Sequence, residues 1–126
     1  MCIDPCGKAI SLDNINFNLN QSKILPAAIP DLLRIVKLML DNPNILVEMS
    51  SHTDSQGSSE YNKLLSQRQA DATVKYIVSQ GISESRLIAK GAGENELKNT
   101  KCTNNIPCTD QEHRINRRTE FKVICF

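Results

Sequence analysis

Hydrophobic residues recur along the chain with two different spacings, and the spacing changes from one segment to the next. Where hydrophobic and polar residues alternate, one side of an extended segment faces the core, which predicts a strand. Four segments follow this pattern: residues 12–20 around Ile15 and Phe17, residues 45–52 with Ile45, Val47 and Met49, residues 87–89, and residues 117–126 with Phe121, Val123 and Cys125. We expect these segments to form the sheet of the domain.

Two other segments have the spacing of amphipathic helices. Residues 31–41 have a wide apolar side, and Asp31 follows a proline as a candidate N-cap. The sequence NPN at 42–44 ends this helix. Residues 59–80 form the second predicted helix, and Gly81 is suited to the C′ position, where positive φ is common.

The order of these elements predicts the fold class. Strand–helix–strand units favour parallel neighbouring strands joined by right-handed crossovers. Two helices are too few to cover both faces of a sheet, so we expect an α+β two-layer sandwich of βαβαββ type. In this fold the helices pack on one face of a mixed four-stranded sheet. The domain is assigned to residues 12–126, and residues 1–11 are assigned to a linker or tail.

Composition and charge exclude several classes of function. The chain has 126 residues and 40% hydrophobic content, which suits one domain with one core. Its 15 Lys and Arg residues nearly balance 14 Asp and Glu residues, so nothing indicates nucleic-acid binding. No apolar segment approaches the length of about 20 residues needed to span a bilayer. The first residues lack the basic and apolar regions of a signal peptide, which predicts a cytosolic protein or a mature fragment.

The five cysteines bear on the cellular compartment. Cys102 and Cys108 enclose the turn-rich segment TNNIP, and their separation suits a short disulfide loop better than a zinc site. Cys2 and Cys6 form a second close pair, while Cys125 is expected to be a buried free thiol. Two disulfides would indicate an oxidising compartment, whereas five reduced cysteines would fit the cytosol.

Asp54 follows the strand at 45–52, at the position where α/β folds commonly bind ligands. The next helix begins within a few residues, and its free N–H groups favour an anion nearby. Two interpretations are open. Asp54 either stabilises its own turn in the loop TDSQGSS or presents a carboxylate to a cationic group.

The second helix has a polar inward side near its start. At about 100° per residue, one side of the helix carries Asn62, Leu65, Ser66, Gln69, Thr73 and Tyr76. Arg68 lies about 100° round from Gln69. This arginine is either a solvated surface residue or a guanidinium that reaches the crevice and binds a carboxylate in bidentate geometry.

The runs HTD-x-x-G-x-x-x-YN-x-x-LS-x-R-x-A and NRRTEF give the sequence a family resemblance. Over residues 12–125 the chain resembles the C-terminal domain of the OmpA family, a module shared with peptidoglycan-associated lipoproteins and flagellar motor stators. The resemblance implies non-covalent binding of peptidoglycan, without catalysis and without a cofactor. It also implies a location at the periplasmic face of the Gram-negative outer membrane, with membrane association only through the parent protein.

The resemblance assigns roles to individual residues. Asp54 matches the family aspartate that, with a helix arginine, holds the diaminopimelate of the stem peptide. The free end of that diamino acid is an ammonium beside a carboxylate, so an anion and a guanidinium complement it. The further residues assigned to the site are Asn20, Thr53, Asn62, Leu65, Arg68, Gln69 and Arg117.

One position departs from the family pattern. Gln69 stands where the family usually has its binding arginine, and Arg68 precedes it. A charge-assisted hydrogen bond is roughly twice as strong as a neutral one, so the substitution weakens the site unless another cation replaces it. Arg68 or Arg117 is expected to supply that charge. The alternative is a structural module that has lost or altered its ligand binding.

Two further hypotheses have weaker support from the residues. A wall-degrading enzyme would need paired acid–base groups, for which His52, Asp54 and Glu60 are candidates without a third partner in place. A metal site built from His52, Asp54 and His113 has no specific spacing. We therefore expect a binding module that is not an enzyme and holds no metal.

Overall fold

The computed structural model describes residues 9–12, 15, 17, 21–54, 58–93, 108–109, 112–113 and 116–124. Its strands and α-helices, in chain order, are β1 (Ala9–Leu12), α1 (Ile29–Asp41), β2 (Leu46–His52), α2 (Ser59–Ser79), β3 (Leu87–Gly93) and β4 (Arg118–Ile124). Short 3-10 turns at Pro26–Ala28 and Glu84–Arg86 precede α1 and β3.

The strands of the described part of the chain form one mixed sheet in the order β1-β4-β2-β3. Strand β4 is antiparallel to both of its neighbours, whereas β2 and β3 are parallel. The expectation of parallel neighbours holds for β2 and β3 but is wrong for β1 and β2, because β4 lies between them. The predicted α+β class with a mixed sheet is confirmed.

Hydrophobic burial places both helices on one face of the sheet. Val47 and Met49 of β2 and Val123 of β4 join a single buried cluster with the inward sides of the helices. The helix residues in that cluster include Leu32, Ile35, Val36 and Met39 of α1 and Ile77 of α2. The spacing of the α1 residues is that of one helical side, which is why this segment folds as a helix against the sheet.

Helix α1 begins earlier than the sequence predicts. Its N-cap is Ala28, which makes no side-chain capping bond, so the expectation that Asp31 is the N-cap is wrong. The reason is the preceding 3-10 turn, which already places Ala28 in a helical conformation and continues directly into α1. Asp31 lies in the first turn instead, where it accepts a hydrogen bond from Arg34 and its charge favours the helix dipole.

The first strand also differs from its predicted position. The structure pairs Ala9–Leu12 with β4, whereas Ile15 and Phe17, the centre of the predicted strand at 12–20, lie outside any strand. Ile15 is fully buried and Phe17 packs against the core, so their alternation reflects burial without strand pairing. The paired strand therefore includes residues 9–11, upstream of the predicted domain boundary.

Two glycines explain where α2 ends and how closely it packs against β3. Gly81 follows α2 with φ of 101°, as expected for a C′ residue. Gly91 lies within β3, which continues to Gly93, beyond the predicted strand at residues 87–89. A Cβ on Gly91 would lie 2.4 Å from the backbone nitrogen of Gln67, so this glycine allows α2 and β3 to pack closely.

Candidate functional site

Asp54 is positioned by the end of β2. The strand stops at His52, and the Thr53 amide still donates to the carbonyl of Gly93 at 2.8 Å, which extends the pairing with β3. The Thr53 hydroxyl donates to the Asp54 carbonyl at 3.0 Å. Both residues are buried. The main chain of the predicted binding aspartate is therefore held in place by the sheet itself.

The first turn of α2 holds the same segment from the other side. Ser58 is the N-cap, and its hydroxyl accepts a hydrogen bond from the amide of Tyr61 at 3.1 Å. Asn62 is buried, and its side-chain amide donates to the Asp54 carbonyl at 3.3 Å. This contact fixes the helix start against the strand end, so Asn62 positions Asp54 in addition to any contact with a ligand.

Arg117 supplies the cation beside Asp54. Its Nη1 lies 3.1 Å from Oδ2 of Asp54, across a sequence separation of 63 residues. The Asp54 side chain is 8% exposed and that of Arg117 is 30% exposed, so the pair is accessible from the arginine side. The Arg117 amide donates to the His113 carbonyl at 3.3 Å. The structure therefore pairs one predicted site residue with another.

The Gln69 side chain forms hydrogen bonds with two other parts of the domain. Its Oε1 accepts a hydrogen bond from the Ser51 hydroxyl at 2.5 Å, and its Nε2 donates to the Gln21 carbonyl at 3.0 Å. The residue is buried, and both ends of its amide bond to the protein. Gln69 thus connects α2 to β2 and to the segment that precedes α1.

The three remaining predicted site residues lie in different surroundings. Leu65 is buried on the inward side of α2, next to the turn that carries Asn62. Arg68 is exposed, and the structure does not bring it to Asp54. Asn20 lies outside the described residues. The sequence analysis missed Ser51, which donates to Gln69. Ser51 alternates with Val47 and Met49 on the core side of β2, and a polar residue at such a position indicates a polar partner opposite it.

A polar cluster lies on the opposite face of β2. The Nε2 of His52 lies 3.0 Å from the Ser50 hydroxyl and 3.5 Å from Oε1 of Glu120. Arg118 donates from Nε to Oε2 of Glu120 at 2.7 Å. Strand alternation separates this cluster from the core side, so His52 belongs to a β2–β4 contact.

The structure does not assemble the predicted catalytic or metal-binding groups into one centre. Glu60 is exposed on the first turn of α2, whereas His52 is buried in the sheet contact described above. His113 is buried close to Arg117 in the chain. Among the described residues, no group of three His, Cys, Asp or Glu side chains is placed to hold a metal ion.

Of the cysteines, Cys108 lies within the described residues, and it is disulfide-bonded. Cys2, Cys6, Cys102 and Cys125 lie outside them. The pairing of Cys102 with Cys108 and the second bridge therefore stay predictions. No helix in the described part of the chain is both long and apolar enough to cross a membrane.

Solved structures with this fold include two whose names refer to peptidoglycan or to the cell wall. The peptidoglycan-associated lipoprotein of Burkholderia pseudomallei superposes with a TM-score of 0.76 at 18% identity, covering 86% of this chain and 87% of that one. The cell wall anchor of the type VI secretion system of Pseudomonas aeruginosa gives a TM-score of 0.71 at 23% identity, covering 94% and 80%. These likenesses define the fold class.

Sequence comparison then defines the family. The model of the OmpA family matches residues 16–106, and the chain belongs to that family. Outer membrane porin F of Pseudomonas fluorescens is 33% identical over 120 residues, covering 94% of this chain and 35% of its own length. Outer membrane protein A of Buchnera aphidicola is 33% identical over 122 residues, covering 89% and 34%. The chain thus spans about a third of the length of these relatives.

Proposed function

We propose that this domain binds peptidoglycan without a covalent bond and anchors its parent protein to the cell wall at the periplasmic face of the outer membrane. The ligand is the diaminopimelate of the stem peptide. Membership of the OmpA family supports the general role. So does the shared fold of a peptidoglycan-associated lipoprotein and a cell wall anchor. The Asp54–Arg117 pair is the observation that carries the assignment of the ligand.

The two charges of this pair match those of the free end of diaminopimelate. The ligand ammonium binds the Asp54 carboxylate, and the ligand carboxylate accepts hydrogen bonds from the Arg117 guanidinium, whose planar fork suits a carboxylate. In this arrangement Arg117 replaces the helix arginine that the family pattern places at Gln69. The internal hydrogen bonds of Gln69 support this assignment, because they occupy both ends of its amide.

The closed ion pair also gives the site its selectivity. Before binding, Asp54 and Arg117 neutralise each other at 3.1 Å. A ligand with an ammonium alone would compensate Asp54 but offer no carboxylate to Arg117, and an acid alone would do the reverse. Such a ligand would disturb the Asp54–Arg117 ion pair and replace only one of its two charges, so a zwitterionic end is preferred to a simple amine or a simple acid.

Co-sedimentation with purified sacculi tests the anchoring role. Asp54→Ala and Arg117→Ala should each leave most of the protein in the supernatant, whereas the wild-type domain should pellet with the sacculi. Lys37→Ala is the matched control, because Lys37 carries the same charge as Arg117 but lies on the exposed surface of α1. Within the described residues its one ion pair is with Asp41. Equal sedimentation of all four proteins would contradict the proposal.

A second candidate function is an OmpA-like module that has lost or altered its ligand binding. The observation in its favour is Gln69, which takes the place of a charged residue and bonds inside the domain. This candidate requires the folded wild-type domain to remain in the supernatant with sacculi. It also requires no chemical-shift change at residues 53, 54 and 117 when diaminopimelate is added.

A further inference from the structure

The last pair of residues between β2 and β3 departs from the regular register. Ser51 of β2 pairs with Gly91, and the residue after Ser51 pairs with Gly93, so Ala92 is an extra residue in β3. An extra residue of this kind is a β-bulge, which bends a strand and re-aims the groups that follow it. The bulge lies at the end of β2 from which the candidate site extends, so it sets how β3 meets that site.

Gly93 makes hydrogen bonds in two directions. Its amide donates to the Ser66 hydroxyl of α2 at 2.9 Å, and its carbonyl accepts from the Thr53 amide at 2.8 Å. In a regular strand the amide and the carbonyl of one residue point to the same neighbour, whereas Gly93 has φ of 57° after the bulge. This left-handed conformation favours glycine, and a Cβ here would lie 3.2 Å from the Cα of Lys63. Gly93 therefore links α2 to the residue before Asp54.

Ser66 is the α2 side of this link. It is fully buried, so its hydroxyl is out of reach of a ligand. The hydroxyl donates to the carbonyl of Lys63 at 2.9 Å within the helix, which leaves its oxygen to accept the hydrogen bond from Gly93. A buried amide without an acceptor is costly. The Ser66 oxygen therefore stabilises the end of β3 in the conformation in which its carbonyl accepts from Thr53.

The start of α2 thus holds the predicted binding aspartate by two routes. Asn62 donates directly to the Asp54 carbonyl at 3.3 Å. Ser66 acts indirectly, since the glycine that it binds accepts from the Thr53 amide. Contacts to two successive residues fix the direction of the chain as well as its position. That direction matters because the Asp54 carboxylate lies 3.1 Å from the Arg117 guanidinium, and a rotation of the strand end would change that distance.

We propose that Ser66 is a positioning residue of the candidate site, which acts through Gly93 to hold the Asp54 carboxylate where it meets both Arg117 and the ligand ammonium. This inference rests on the proposed function and adds to it a residue that supports the charged pair from the interior. It makes the affinity for diaminopimelate depend on the Ser66 hydroxyl. A hydroxyl that only joins α2 to β3 would contribute to the stability of the fold and leave the affinity of the folded domain unchanged.

Calorimetric titration with free diaminopimelate distinguishes these two roles. Ser66→Ala removes one oxygen atom, so we expect it to fold and to bind diaminopimelate about threefold to tenfold more weakly than the wild type. Thr73→Val is the matched control, because Thr73 is also fully buried on the inward side of α2 but its hydroxyl donates within the helix, to the carbonyl of Ala70 at 2.7 Å. This variant should keep the wild-type affinity. Urea unfolding of both variants checks that the titrated proteins are folded.

Amide hydrogen exchange of the ligand-free proteins gives a second readout. In Ser66→Ala the Thr53 amide should exchange about threefold to tenfold faster, because its acceptor on Gly93 is less firmly held. The Met49 amide lies in β2, between two other strands of the sheet, and reports opening of the whole domain. A general loss of stability would accelerate both amides by the same factor, whereas the positioning role predicts acceleration of Thr53 relative to Met49.

The outcomes separate the two proposals. If wild-type protein and Ser66→Ala bind diaminopimelate equally, or if Ser66→Ala and Thr73→Val lose affinity to the same extent, the positioning role is overturned and the proposed function stands. Equal acceleration of the Thr53 and Met49 amides would also overturn the positioning role. If the wild-type domain does not bind diaminopimelate, the proposed function fails and the positioning role fails with it.

Discussion

Removing the Arg117 guanidinium should destabilise the domain even in the absence of ligand. Arg117→Met keeps much of the side-chain volume but leaves the Asp54 carboxylate, whose side chain is 8% exposed, without this cation. Breaking a fully buried ion pair costs about 3–5 kcal/mol. Because the Arg117 side chain is 30% exposed, water screens part of the interaction, and we expect a loss of about 1–3 kcal/mol in the free energy of unfolding.

A double-mutant cycle isolates this interaction. Asp54→Asn removes the side-chain charge, while the main-chain carbonyl of residue 54 can still accept the hydrogen bonds from Thr53 and Asn62. Urea unfolding of the wild type, both single variants and the double variant gives the coupling energy, which we expect to be about 1–2 kcal/mol. The m-values should agree among the four proteins, as a check that the unfolding reaction is unchanged. A coupling energy within about 0.3 kcal/mol of zero would refute the ion pair as described.

Two further variants test the packing around the site. Gln69→Leu should lower the free energy of unfolding by about 1–3 kcal/mol, since it removes two hydrogen bonds at a buried position. Calorimetry should show that this variant still binds diaminopimelate. Loss of binding with an unchanged free energy of unfolding would contradict a structural role for Gln69. Gly91→Ala should cost about 1–3 kcal/mol in urea unfolding because its Cβ would overlap the backbone of Gln67. In the control Gly81→Ala, where a Cβ meets nothing within 4 Å, the positive φ remains as the source of any loss; a smaller loss for Gly91→Ala than for the control would argue against close packing of α2 on β3.

The sequence was sufficient for the elements with long or well-punctuated patterns. Helix α2 begins at the predicted residue and ends within one residue of its predicted end, because no Gly or Pro interrupts it and Gly81 follows it. The first strand could not be placed, because Ile15 and Phe17 have the alternation of a strand while the strand that pairs with β4 lies upstream. The strand predicted at residues 87–89 was too short, since β3 includes Gly91, whose small size serves the contact with α2.

The candidate site was predictable in part for a related reason. Asp54 was singled out from its local position at the end of a strand, which depends on few residues, whereas its binding role was implied by the family resemblance. The choice between Arg68 and Arg117 depends on which guanidinium the fold brings to Asp54, and Arg117 is 63 residues away along the chain. The role of Gln69 likewise depends on contacts 18 and 48 residues distant. Contacts between residues so far apart in sequence depend on the tertiary fold, which no local pattern specifies.

The most direct test of the account compares two stem tripeptides that differ only at the third residue, one with diaminopimelate and one with lysine. The lysine side chain ends in an ammonium alone, so it matches Asp54 but offers no carboxylate to Arg117. Calorimetry should give at least about tenfold tighter binding of the diaminopimelate peptide, and Asp54→Ala should bind neither peptide. Equal affinity of the wild-type domain for the two peptides would contradict the claim that the Asp54–Arg117 pair reads both charges of its ligand.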